Sequence, residues 1–92
     1  MTHTAIVVLP PVEVLARLKA FFADRVPHAS AFVEREGPGF VVLRGQGGEE
    51  IAFSATPGEN STTRVRASTL FFDQAVDRFL TTLPLAGSVE VA

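Results

Sequence analysis

Between positions 31 and 69 the chain has three turn-forming points, Gly37-Pro38-Gly39, Gly45-Gln46-Gly47-Gly48 and Pro57-Gly58-Glu59-Asn60, separated by short stretches rich in apolar and β-branched residues. Such spacing leaves little but four antiparallel strands folded back and forth. A meander of this kind needs a further layer over its apolar face before it is stable. Residues 11–25 and 70–83 can supply one, because each carries apolar side chains at helical spacing.

In the first of these segments Val14, Leu15, Leu18, Phe21 and Phe22 form one stripe, Pro11 suits the first helical position and Glu13 suits the amino end of the dipole. Val26-Pro27 is expected to stop it. In the second, Phe72, Val76, Phe79 and Leu83 form the stripe and Pro84 ends it, giving a helix of about 14 residues, roughly 20 Å long. Residues 4–9, ahead of the first helix, read as a strand covered on one face and at least partly on the other, internal or well protected. Residues 85–92 alternate weakly at Val89-Glu90-Val91 and either fray or pair with a sheet edge. The expected architecture is a single α+β domain over residues 1–92, an antiparallel five-stranded sheet with two helices on one face, in the order β-α-β-β-β-β-α.

Turn lengths set which side chains meet. A three-residue turn at Gly37-Pro38-Gly39 puts Glu36 opposite Phe40, Glu34 opposite Val42 and Phe32 opposite Arg44. A two-residue turn at Gly47-Gly48 then puts Val42 opposite Phe53 and Arg44 opposite Ile51. With Val65 set beside Phe53, the helix-covered face holds Phe40, Val42, Ile51, Phe53, Val65 and Ala67.

Composition narrows the functional classes. The chain has 92 residues, 47 % of them hydrophobic, with eight phenylalanines and no cysteine. That is enough apolar material for a small core without staples, and it removes disulfides, thiolate metal sites and cysteine nucleophiles together. A net charge of −2 with interspersed signs argues against nucleic acid as a partner. Met1-Thr2-His3-Thr4 lacks a basic leader region and residues 5–9 are too short for a signal core or a membrane span, so a cytoplasmic protein with no membrane partner is the expectation.

The opening run Ala5-Ile6-Val7-Val8-Leu9-Pro10-Pro11-Val12-Glu13-Val14-Leu15, a strand passing into a proline-marked helix start, resembles the START and Bet v 1-like helix-grip proteins. The strand and helix order is also similar to the TATA-binding-protein-like fold. The helix-grip resemblance implies a small hydrophobic ligand held between sheet and helices, and in some members cyclase or hydrolase activity. Against the longer proteins of that group, the closing helix here is short and the basic groove of the other group is missing.

Three sets of residues are candidates for function. Glu34, Glu36 and Arg44 fall by parity on the helix-covered face; pointing inward, they would anchor a small ligand, whereas a bulge or a position near the strand ends would leave them in solvent. Arg64 and Arg66 share the opposite face and could receive a phosphate or carboxylate, or could be charges that guard an exposed strand. Val33, Val41 and Leu43, with Ala31 and Ala52, form an apolar patch on that opposite face, which a homodimer would bury unless the sheet curls over it. His3 and His28 have no metal-ligand partner at useful spacing, no catalytic motif stands out, and no motif implies a cofactor. The expected function is a small binding module for an apolar or amphipathic ligand; the alternative is a structural domain that self-associates through its open sheet face, and an enzyme ranks last.

Overall fold

The computed structural model describes residues 1–24 and 31–92. Arg25, the Val26-Pro27 stop and His28 lie outside the described residues. The elements in chain order are β1 (Thr2–Val7), α1 (Pro11–Asp24), β2 (Ala31–Gly37), β3 (Phe40–Gly45), β4 (Glu50–Pro57), β5 (Thr63–Thr69), α2 (Asp73–Leu80) and β6 (Glu90–Val91). The fold is α+β as expected, with an open antiparallel sheet of six strands in the order β2-β3-β4-β5-β1-β6. The expected five strands gain a sixth because the tail pairs with β1: Val7 bridges Leu85, Ala86 N–H donates to the Ile6 carbonyl at 2.8 Å, and Ala92 N–H donates to Thr2 at 2.8 Å. β1 thus lies inside the sheet, between β5 and β6.

Both helices cover one face. Val14, Leu15, Leu18, Phe21 and Phe22 of α1 and Val76, Phe79 and Leu80 of α2 are buried against Ala5, Val7, Val41, Leu43, Ile51, Phe53, Ala55, Val65 and Ala67 of the sheet. At the centre four rings meet. The centroids of Phe21 and Phe22 of α1 are 5.4 Å apart, Phe21 lies 5.4 Å from Phe79 of α2, and Phe53 of β4 lies 6.0 Å from Phe22 and 5.8 Å from Phe79. These are edge-to-face or tilted contacts, each contributing about 0.5–1.5 kcal/mol beyond the area that it buries. The rings occupy the middle of the layer between the helices and the sheet.

The second helix is shorter than expected, spanning eight residues. The Thr69 hydroxyl accepts from Phe71 N–H at 3.3 Å and Phe72 N–H at 3.2 Å, which holds Leu70 and Phe71 in a turn ahead of the helix. Past Leu80 the chain closes with shorter-range hydrogen bonds, Thr82 to Phe79 and Leu83 to Leu80, which keep Leu83 in the core without extending the helix.

The register differs from expectation at both ends of β3. Gly45 and Glu49 pair, Gly45 N–H donating to the Glu49 carbonyl at 2.7 Å, so the loop is the three residues Gln46-Gly47-Gly48, with Gly48 at φ +89° closing it. Glycine is needed there because an L side chain is strained at such an angle. One extra turn residue flips the strand: Val41 faces Phe53 and Leu43 faces Ile51, where Val42 and Arg44 were expected. On the other side Pro38-Gly39 makes a two-residue turn, pairing Gly37 with Phe40, and a bulge between Val33 and Arg35 then restores Phe32 opposite Arg44. β4 and β5 keep the expected parity but are offset by two residues, with Phe53 opposite Ala67 and Ala55 opposite Val65, where Val65 was expected beside Phe53.

Val41 and Leu43 are therefore core residues, each 1 % exposed, and do not belong to an outer patch; Val33 pairs with Leu43 on the same side at the sheet edge. The outer face carries Val42, Phe40 and Ala52 in their place. A Leu43→Asp substitution sets a carboxylate with no cationic partner into the layer of rings, and is expected to cost at least about 3 kcal/mol. Urea denaturation should show the variant largely unfolded; a variant of unchanged stability would contradict this register.

Candidate functional site

The expected inward cluster of Glu34, Glu36 and Arg44 does not form. Glu36 lies on the helix side, where Lys19 of α1 donates to it at 2.9 Å. Arg44 and Glu34 lie on the outer face because of the flipped register and the bulge. The Arg44 guanidinium donates to Glu34, to Glu50 at 3.2 Å and to the Gly48 carbonyl at 2.8 Å. The Glu34 carboxyl is held below its ordinary value by the hydrogen bond from Arg44, and Arg44 is raised by the same bond. With its donors committed to its own strand neighbours, Arg44 ties the β3–β4 turn to β2.

Arg64 and Arg66 have a different setting. They stand on the outer face of β5, in register with Thr56 and Ser54 of β4 on one side and Ile6 and Thr4 of β1 on the other. A groove of about 630 Å³ runs over this part of the sheet, lined by Thr2, Thr4, Ser54, Thr56, Arg64, Arg66 and Ala92. Two residues apart on a strand, the arginines are roughly 7 Å from each other along the chain and point the same way. Among the described residues neither forms an ion pair, while Arg17, Lys19 and Arg44 each have a carboxylate at 2.9 to 3.2 Å. The groove therefore presents two free guanidiniums among four side-chain hydroxyls.

These charges do not guard an edge, as sequence alone would allow. β5 is paired along its length with β4 and β1, deep inside the sheet, and has no free hydrogen-bonding edge to protect. The hydroxyls at positions 2, 4, 54 and 56 were not among the expected site residues. Their signal was the polar half of the same alternation that buries His3, Ala5, Phe53 and Ala55. Among the described residues no group of three or more His, Asp or Glu could hold a metal ion, and no helix is long and apolar enough to cross a membrane.

A second polar cluster joins the start of the chain to α2. His3 is buried on the helix-covered side, and its Nε2 donates to Asp73 Oδ1 at 2.9 Å; the Met1 amino group is 3.3 Å from the same oxygen. The Asp73 carboxyl is held below its ordinary value first by the hydrogen bond from His3, which outweighs the opposing effect of burial, and the Met1 amino group lowers it further. Matched to the first turn of α2, this carboxylate ties β1 to the helix.

Comparisons with protein-family models, with curated proteins and with solved structures found no match.

Because the folded pKa of Asp73 is depressed, its contribution to stability is complete above the unfolded-state value of about 3.9 and is lost as pH falls through the lower folded value. An Asp73→Asn variant is expected to be less stable than the parent at pH 6, with the difference closing below about pH 4. Thermal melts across pH 2.5–7 would check this, and a constant difference over that range would refute it.

Proposed function

We propose that the chain is a small binding module whose site is the groove on the outer face of the sheet, where Arg64 and Arg66 receive an anionic group. The observation that carries this proposal is the placement of two unpaired guanidiniums on an interior strand, where edge protection cannot account for them. Like charges side by side on one face repel, and an anion between them reverses the sign of that interaction. The groove's size falls within the ordinary range for small-molecule sites, and its hydroxyls can orient what the arginines hold. The ligand thus sits opposite the helix side that the helix-grip resemblance implies, because the layer beneath the helices is occupied by Phe21, Phe22, Phe53 and Phe79.

Titration with inorganic phosphate at constant ionic strength tests the proposal. A rise in melting temperature is expected, since a ligand that binds only the folded state stabilises it by mass action. Arg64→Ala and Arg66→Ala should each weaken binding about 10- to 100-fold, from about 1.5–3 kcal/mol per charge-assisted hydrogen bond. Without ligand both variants should keep the parent's stability within about 0.5 kcal/mol, because among the described residues neither side chain has an ion-pair partner to lose. An unchanged phosphate response in the double variant would refute the site.

A second reading, self-association through the same face, has its own support. Phe32, Phe40 and Ile6 lie on the outer face at 58, 40 and 39 % exposure, flanking the groove on two sides. An isologous contact would bury both flanks at once. Light scattering over a hundredfold concentration range is expected to show a dimer that Phe40→Lys dissociates; a monomer throughout removes this reading.

A further inference from the structure

We infer that the anion is a phosphomonoester carried on a soluble polyol, such as a sugar phosphate. This rests on the anion site proposed above and adds the class of molecule that fills it. Charge sets the first condition. Two guanidiniums offer a double positive charge, and a phosphomonoester near neutral pH brings close to two negative charges with three acceptor oxygens, enough for both planar forks, whereas a carboxylate brings one charge and two oxygens. Among the described residues no acidic side chain lines the groove to oppose it, and Glu90, in register with Thr4, stands at the far edge.

The hydroxyls set the second condition. Thr4, Arg66 and Ser54 stand in one row across three adjacent strands, and Arg64 and Thr56 stand in the next. Each arginine is thus flanked at the spacing of neighbouring strands, about 4.8 Å, by a group that both donates and accepts. A phosphate ion alone fills only a small part of 630 Å³, and the rest of the lining is hydroxyl-rich, with Thr2 continuing it toward the end of β1. Such a wall complements a ligand whose remaining surface is itself hydroxyl. The lining residues themselves include no aromatic ring on which a nucleobase could stack; Phe40 stands one strand beyond Ser54, on the flank of the groove and outside its lining.

Calorimetric titration of the full chain at fixed ionic strength tests this, using inorganic phosphate, glucose 6-phosphate, ribose 5-phosphate, glycerol 3-phosphate, glucose, octanoate and vesicles containing phosphatidic acid. At least one sugar or glycerol phosphate should bind tenfold or more tightly than inorganic phosphate, with glucose alone silent. Arg66→Lys, which keeps the charge and loses the fork, should weaken that ligand about tenfold. Ser54→Ala with Thr56→Val should remove the advantage over inorganic phosphate while leaving phosphate itself bound. Equal affinity for inorganic phosphate and every polyol phosphate overturns the inference and leaves the anion site standing. Tighter binding of octanoate, or binding to the vesicles without the soluble esters, overturns it in the same way. Silence toward every anion overturns both.

Discussion

Two helices and a sheet are joined in this protein at the contact of Phe21, Phe22, Phe53 and Phe79. A chain of 92 residues buries only roughly 60–65 % of the surface that its unfolded form exposes, so few side chains are enclosed on all sides. Four rings from three elements, each touching two of the others, sit within that enclosure. They fix how α1 and α2 lie on β4, and in doing so decide which side of the sheet is interior and which remains open. The position of the candidate site follows from that decision, since the groove is what the helices leave uncovered.

Much of this architecture was legible from spacing. The apolar stripe of α1 from Val14 to Phe22, the three reversals and the parity of β4 and β5 all appear in the structure, because each follows from a local period that burial enforces. What spacing could not give was the length of a turn. Gly45-Gln46-Gly47-Gly48 is compatible with a two- or a three-residue loop, and the difference of one residue exchanges Val42 and Arg44 for Val41 and Leu43 in the core. The continuous apolar run from Phe40 to Leu43 offered no alternation to choose between them. Glu34 was unreadable for a related reason: the bulge beside it compensates the tighter turn at Pro38-Gly39, and neither leaves a mark in composition. Arg64 and Arg66 were visible as a pair, but that β5 is interior depends on the pairing of β1 with it some sixty positions away in sequence.

The two cationic settings of the outer face differ in their chemistry. Arg44 is spent on Glu34, Glu50 and a turn carbonyl, so that it holds β2, β3 and β4 in register. Arg64 and Arg66, both on β5 two strands further in, have hydroxyl neighbours that cannot neutralise them. The same residue type thus serves structure where carboxylates surround it and remains available where they do not.

The pairing of β1 also governs the sequence of events in folding. Its neighbours are β5 and β6, both far from it in sequence, so in a nascent polypeptide residues 2–7 have no strand partner until β5, at residues 63–69, has been made. The meander can assemble early from contacts close in sequence, whereas enclosure of Ala5 and Val7 must wait on loop closure across some sixty residues. Synthesis of β5 is accordingly the step that brings β1 into the sheet, and β6 then covers its other side.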